Sequence, residues 1–566
     1  MPNLRFLHHI ALSAFLSALS IPAQAQDDLA GPYLAALVAD RAGDYQTLVE
    51  YGAKALEFDP TNAHLMEGIL LAELGLGQID EAVPLADRLS ELDEEHQLAG
   101  LVHLANALKR EDWQAASAAL DKGQALGGLT DQLVRAWVAV GDGKMSRAIE
   151  LFDTLSAGGN GGMVLLQKAM ALAMVGDYEG AADLLGGGQQ VLSLNQPGIV
   201  AYAQVLSQLD RNDDAADLLD QAFPGTEDPD LTEMRAALAA GDTLPFTAVA
   251  GPREALSQLF YEVGQSIRGK TDPGLVLLYA RVAEYLDPDN IGARLLSALV
   301  LEDMENYPLA AEAYSQIGPG ERAYVQARIG QATSLRQMED VEAAIKVLKS
   351  AIETEPESPA LQSALGDTLR FEQRYGEALD HYKAAIALYP EGKPASWSIY
   401  FARAICYERT GDWPAAEDDF RKALELSPDQ PSVLNYLGYS YIVKGEHFDE
   451  AVDMIRRAVA GRPYDGFIRD SLGWAFFQLG NYDDAVVEMD RAVELKPLDP
   501  VLNDHLGDAY WAVGRKREAE FQWSRALSFI TDETDLDELK PDRIRRKLEV
   551  GLDKVIEEEG GEPLAK

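Results

Sequence analysis

Cys406 is the only thiol in a chain of 566 residues, and a thiol can serve as a nucleophile, a metal ligand or a redox group. It lies next to Tyr407 inside a stretch patterned as a helix, where a free cysteine behaves as a small packed hydrophobe, so an inert Cys406 is expected. One cysteine also rules out an internal disulfide, which leaves helix packing as the source of stability. The eight histidines make no HExxH pair and no cysteine–histidine spacing suited to zinc. The glycine runs Gly158-Gly159 and Gly186-Gly187-Gly188 lack the lysine and the preceding strand of a phosphate loop, and read as turns. The acidic cluster Asp532, Glu533, Asp535 and Asp537 lacks the glycine and the ligand spacing of a calcium loop. Neither enzymatic activity nor a metal or cofactor is expected from this inventory.

The elements behind these residues follow a ruler. A small residue returns every 34 positions at Gly264, Ala298, Ala332 and Gly366, and after slips of four and one residues continues through Ala404, Gly438, Gly473 and Gly507. With that residue set at position eight, position eleven is large (Ile267, Leu301, Leu335, Leu369, Tyr407, Tyr441, Phe476, Tyr510). Position twenty is alanine from Ala310 to Ala519 with Val276 as the exception, and position twenty-seven is alanine from Ala283 to Ala526 except at Ile317. A small residue lets two helices approach closely, and the large one fills the space above the contact. Gly411-Asp412 and Gly480-Asn481 supply helix stops. Pro288, Pro356, Pro390, Pro428, Pro463 and Pro497 end the second helix, because proline lacks an amide hydrogen and disfavours helical geometry in the residue before it. Two antiparallel helices per unit, stacked so that each buries its apolar face on its neighbours, are therefore predicted.

The unit Trp397 to Gln430, with Ala404, Tyr407, Gly411, Trp413, Ala416, Phe420, Ala423 and Pro428, resembles a near-consensus tetratricopeptide repeat. Eight such units run from Ser257 to Glu533. The resemblance implies an all-α fold, an α-solenoid of antiparallel helix-turn-helix repeats forming a right-handed superhelix. It also implies a concave groove, lined in this family by the second, fifth, ninth and twelfth positions of each first helix. In the last three units these are Asn435, Tyr439 and Ile442, then Phe467, Asp470, Trp474 and Phe477, then Asp504, Asp508 and Trp511. Aromatic rings beside carboxylates and an amide suit a peptide: rings offer desolvated contact and polar groups orient a backbone. The competing reading is that the fifth and twelfth positions are aromatic only for packing. The carboxylate clamps of chaperone co-factors in this family use lysine and arginine where this chain has aspartate and asparagine. A basic or neutral extended segment is thus expected to fit Asp470, Asp504 and Asp508 better than a C-terminal carboxylate.

The remaining segments complete the plan. Residues 1–25 carry Arg5, an apolar run from Ile10 to Ile21 and the small-x-small site Ala23-Gln24-Ala25, the pattern of a signal peptide cut after Ala25. A secreted, periplasmic chain without direct membrane insertion is expected, since the apolar run is too short for a permanent span. Residues 26–223 read as six degenerate repeats, with Gly43-Asp44-Tyr45, Gly176-Asp177-Tyr178 and the Pro60 stop in place, although Leu70 and Leu104 occupy positions where a small residue is expected. Residues 224–252, rich in proline and glycine, read as a linker or an irregular unit. The regular array occupies 253–533, and 534–566 reads as a capping helix over Pro541 to Glu559 and a tail, with Ile544, Leu548, Leu552 and Val555 on one face.

Formal charge is −44, and removing Arg5 with the leader gives −45. Such a field repels phosphate backbones, so no nucleic acid partner is expected. Arg515, Lys516, Arg517, Arg525, Arg543, Arg545, Arg546 and Lys547 nonetheless gather near the C-terminus, either as a docking patch for an acidic partner or in salt pairs with interleaved acids such as Glu518 and Asp542. Leu437-Gly438-Tyr439, Asp470-Ser471-Leu472-Gly473-Trp474 and His505-Leu506-Gly507 resemble the long repeat adaptors that activate periplasmic carboxyl-terminal processing peptidases. That implies a non-catalytic scaffold of the bacterial cell envelope, binding a protein or peptide and recruiting a processing peptidase. Those adaptors are typically lipid-anchored, and here no cysteine follows the apolar run. The alternative is a scaffold or regulatory component of envelope polysaccharide or glycan assembly.

Overall fold

The computed structural model describes residues 30–122, 127–157, 161–187, 196–225, 228–390, 392–531, 534, 539–561 and 564. The leader, Gly158-Gly159, Gly188 and the acidic cluster at 532–537 other than Thr534 lie outside these residues. Among the described residues there are 31 helices and no strand, and the chain is an all-α solenoid of antiparallel hairpins. The alanines at positions twenty and twenty-seven explain the hairpin: every one of them, from Ala283 to Ala526, is fully buried. The small eighth residue is also required. A Cβ at Gly473 would lie 2.5 Å from Cγ of Met489 and 3.3 Å from the carbonyl oxygen of Ala485, and one at Gly507 would meet Trp523 at 2.5 Å.

Helix ends follow local chemistry. Gly411 takes φ +86°, and Asp412 then accepts the amide of Ala415 to start the next helix. Before Pro288, Pro356, Pro428, Pro463 and Pro497, the residue that ends the helix is extended, with φ between −123° and −142°.

The chain packs as two compact units, one through Met338 and the other from Glu339. The first unit contains six hairpins between Ala30 and Ala222, the helix Pro229–Ala240, the hairpins spanning Pro252–Leu286 and Ile291–Ser315, and the helix Tyr324–Gln337. Residues 228–252 comprise the helix Pro229–Ala240 and an irregular stretch that hydrogen-bonds to the repeats before it. Its Leu244 amide donates to Ser207 Oγ at 2.9 Å, and its Thr247 amide to Gln204 Oε1 at 3.0 Å. The two units divide between Met338 and Glu339, within the residues read as the regular array. Downstream, Pro273–Leu286 packs on the first helices Ala63–Gly75 and Gln97–Lys109, and Pro252–Ile267 packs on Gly128–Gly141. Arg281 Nε donates to the Gly75 carbonyl at 3.0 Å, and Asn306 Nδ2 to that of Gly43 at 2.9 Å. First helices that would otherwise offer a binding face are covered by the same unit's own chain.

The second unit runs from the helix Val341–Thr354 through the hairpins Pro359–Ala387, Trp397–Leu426, Pro431–Gly461, Gly466–Leu495 and Pro500–Ser528. The single capping helix expected over Pro541 to Glu559 is two helices, Pro541–Val550 and Leu552–Glu558, parted at Gly551. Gly551 takes φ +84°, and a Cβ there would run into the Trp511 ring. The expected apolar face is present, with Ile544, Leu552 and Val555 buried and Leu548 half-buried.

Candidate functional site

The groove positions of the last three repeats divide by what the next helix does to them. In the last repeat they are closed. Asp504 and Asp508, one turn apart on Pro500–Ala512, both accept from Lys547 Nζ, at 2.8 and 2.9 Å for the two Asp504 oxygens and 2.8 Å for Asp508 Oδ2. The Lys547 side chain is 0% exposed. Asp508 Oδ1 also accepts from Trp523 Nε1 at 2.9 Å. Trp511 donates to Asp553 Oδ2 at 3.0 Å and lies 5.4 Å from the Trp523 ring. Expected groove residues Asp504, Asp508 and Trp511 thus hold the C-terminal helices in place and offer no open carboxylate to a basic segment. Burial raises the Asp504 carboxyl above the ordinary aspartate range; Lys547 opposes that and Asp508 adds to it.

One repeat earlier the face is partly open. Asp470 is buried, and its Oδ2 bonds His505 Nδ1 at 2.8 Å. Burial alone would lower the His505 pKa. Asp470, reinforced by Asp504 and Asp508, outweighs that and lifts it to about 9, so the imidazole is cationic at neutral pH. Trp474 is half-buried and stacks on His505 at 4.2 Å and on Phe477 at 5.2 Å. Phe477 is buried and Phe467 is 50% exposed, with Lys496 Nζ 5.4 Å from its ring centroid. In the repeat before, Ile442 is buried, while Asn435 and Tyr439 are half-buried. Asn435 Oδ1 and Asp470 Oδ1 are both buried without a hydrogen-bond partner.

Sequence reasoning missed His505 and Lys547 as parts of this region. His505 occupies position six, outside the assumed groove phase. Lys547 appeared only as one of a basic cluster, most of which is salt-paired: Arg515 with Glu518 at 2.5 Å, Arg543 with Glu559 at 2.8 Å, Arg545 with Asp542 at 2.6 Å and Arg546 with Glu558 at 2.7 Å. Tyr464 and Leu498, in the connections between repeats, were also missed; they are 77% and 66% exposed.

Among the described residues no group of three metal-ligating side chains is present, and no helix is long and apolar enough to cross a membrane. Cys406 is fully buried, and burial pushes its thiol up to about 12. A thiol held that high is almost wholly protonated at neutral pH. Ellman's reagent is expected to leave Cys406 untouched in the folded protein and to react fully in guanidinium; rapid labelling of the native chain would contradict this.

A family model described as tetratricopeptide repeat matches residues 329–393, 363–431 and 437–500. The TPR repeat-containing protein PA4667 of Pseudomonas aeruginosa is 26% identical over 181 residues, 32% of this chain and 30% of its own length. The lipoprotein NlpI homolog of Haemophilus influenzae is 34% identical over 88 residues, 15% of this chain and 27% of its own. These matches span less than a third of either relative. Among solved structures, the APC/C hetero-tetramer Cut9–Hcn1 aligns over 92% of this chain and 96% of its own at 15% identity, with a TM-score of 0.39.

Proposed function

We propose that this chain, a tetratricopeptide-repeat protein and as such a protein-binding scaffold, works in the bacterial cell envelope. In this reading it is exported by cleavage after Ala25, holds a protein segment on the first-helix face of the unit Glu339–Lys566, and brings that segment to a periplasmic processing peptidase. One observation carries the choice of face. Asn435 Oδ1 and Asp470 Oδ1 stand at the same position of neighbouring first helices, buried and without a donor. A buried acceptor left unpaired costs about 1–3 kcal/mol, which a bound backbone amide would recover. Packed helices lie about 8–10 Å apart. An extended segment crossing both rungs covers that distance in roughly three residues. Trp474 beside them supplies apolar contact, while three first helices of the other unit, Ala63–Gly75, Gln97–Lys109 and Gly128–Gly141, are covered by Pro252–Leu286. The envelope setting is supported by the leader pattern in residues 1–25 and by the likeness to a protein named as a lipoprotein.

The test is capture of partners from envelope extracts by the tagged full chain, followed by affinity measurement on whatever is recovered. Trp474→Ala is expected to weaken binding by about 10- to 100-fold, the loss of roughly 1–3 kcal/mol usual for an aromatic anchor. Asn435→Ala should weaken binding while leaving the melting temperature unchanged or higher, because it removes an acceptor that the free protein does not satisfy. Equal affinity in wild type and both variants would remove this face. A recovered set without any peptidase would remove the recruitment role.

A further inference from the structure

The slip in the repeat ruler has a structural counterpart. Gly366 to Ala404 is 38 residues, where the steps before and after are 34. The connection between Tyr375–Ala387 and Trp397–Arg409 is correspondingly nine residues, 388–396, whereas the other inter-repeat connections of this unit have four. At this place an opening of about 380 Å³ lies between the first helices Pro359–Phe371 and Trp397–Arg409. Its lining includes Ser363, Asp367 and Arg370 from one helix and Trp397, Phe401 and Ile405 from the other.

The two walls differ in chemistry. On the aromatic side, Trp397 and Phe401 sit 6.3 Å apart at 46°, and Phe401 is fixed from behind by Phe420 at 5.9 Å and Tyr436 at 5.8 Å. On the polar side, Asp367 Oδ1 accepts from Tyr382 at 2.7 Å and Arg370 at 3.2 Å, and Arg370 Nε also donates to the Tyr382 hydroxyl at 3.2 Å. The cation is therefore engaged, while 47% of the Asp367 side chain remains exposed. Ser363 Oγ is buried with no hydrogen-bond partner. A neutralised arginine and an exposed carboxylate disfavour an anionic ligand. A preset ring wall facing an unpartnered hydroxyl beside a half-exposed carboxylate suits an aromatic group that carries a donor. The volume sits near the low end of ligand sites, about 300–1,000 Å³, the scale of one large side chain with its backbone.

We infer that this opening receives an aromatic anchor residue of a partner protein, tryptophan or tyrosine, whose ring lies against Trp397 and Phe401 and whose N–H or O–H is accepted by Ser363 Oγ. The inference rests on the protein-binding reading and adds a second, separate point of attachment.

The test uses the full chain with N-acetyl-L-tryptophanamide, N-acetyl-L-phenylalaninamide and N-acetyl-L-leucinamide as probes, followed by saturation-transfer NMR and titration. Tryptophanamide is expected to bind best and leucinamide least. Ser363→Ala should weaken tryptophanamide by up to about tenfold, one hydrogen bond's worth, and leave phenylalaninamide unchanged. Ala360→Trp, at an exposed lining position, should abolish binding of all three. Circular dichroism melts establish that both variants fold, and if Ala360→Trp does not, Ser363→Ala decides alone. No binding of tryptophanamide, equal binding of leucinamide, or the same affinity in both folded variants would overturn the pocket. The two readings fail separately: an unbound probe overturns the pocket even where Trp474 captures a partner, and failure to capture any partner overturns the scaffold even where the probe binds.

Discussion

Replacing Lys547 with methionine is expected to destabilise the unit Glu339–Lys566 by about 3–5 kcal/mol, the usual cost of leaving a buried charge without its partner. The ammonium is enclosed by Asp504 and Asp508, whose side chains are 10% and 2% exposed. Without it two carboxylates face each other in a site closed to water, and Arg543, 3.6 Å from Asp508, compensates only one of them. Methionine keeps most of the stem volume, so packing loss is minor and charge dominates. Urea unfolding followed by circular dichroism gives the measurement. Adding Asp504→Asn should recover part of the loss, because one of the two stranded charges disappears. A change below about 1 kcal/mol would mean that Lys547 has another route to water and that the enclosed geometry is wrong, since that is the range of a solvent-exposed pair.

This cluster marks where the sequence stops being legible. The alanines at positions twenty and twenty-seven, the glycines at position eight and the extended residue before Pro288, Pro356, Pro428, Pro463 and Pro497 are constraints of size and backbone geometry, which act within one hairpin and repeat in phase. They place the helices almost without reference to the rest of the chain. Lys547 meets Asp504 across 43 residues, and Arg281 meets Gly75 across 206. Those contacts depend on how a later helix docks, and no period records that. The same difference explains the site. Positions five and nine were legible as facing away from the hairpin's own core, but whether that side meets a ligand or the next helix is a property of the neighbour. Asp470 meets His505, and Asp504 and Asp508 meet Lys547, while Asn435 and the second oxygen of Asp470 are left without a donor. The one place where the spacing itself carried the answer is the 38-residue step, whose extra residues coincide with the opening lined by Ser363 and Trp397.

His505 gives the second large effect, a loss of stability of about 3 kcal/mol between pH ~6 and pH ~9.5, at 1.36 kcal/mol for each pKa unit. Its folded pKa is raised from 6.5 to about 9 because Asp470, with Asp504 and Asp508 behind it, outweighs the effect of burial. A base whose folded pKa is raised binds its proton more tightly when folded. Its contribution is therefore complete below pH 6.5, declines as the unfolded chain alone loses the proton, and is gone above pH 9. The groups facing it are Asp470 and Trp474 from the preceding repeat and Asp504 and Asp508 on its own helix, with Lys547 held against those two carboxylates by the helix Pro541–Val550. Stacking on Trp474 also favours the charged ring, since an aromatic face attracts a cation. Urea unfolding at pH 6, 7.5 and 9.5 should show the midpoint falling across this window, and His505→Gln should flatten the curve by lowering the value at pH 6 toward that at pH 9.5. An unchanged slope in His505→Gln would assign the pH dependence to another group and leave Asp470 without the cation that this geometry gives it.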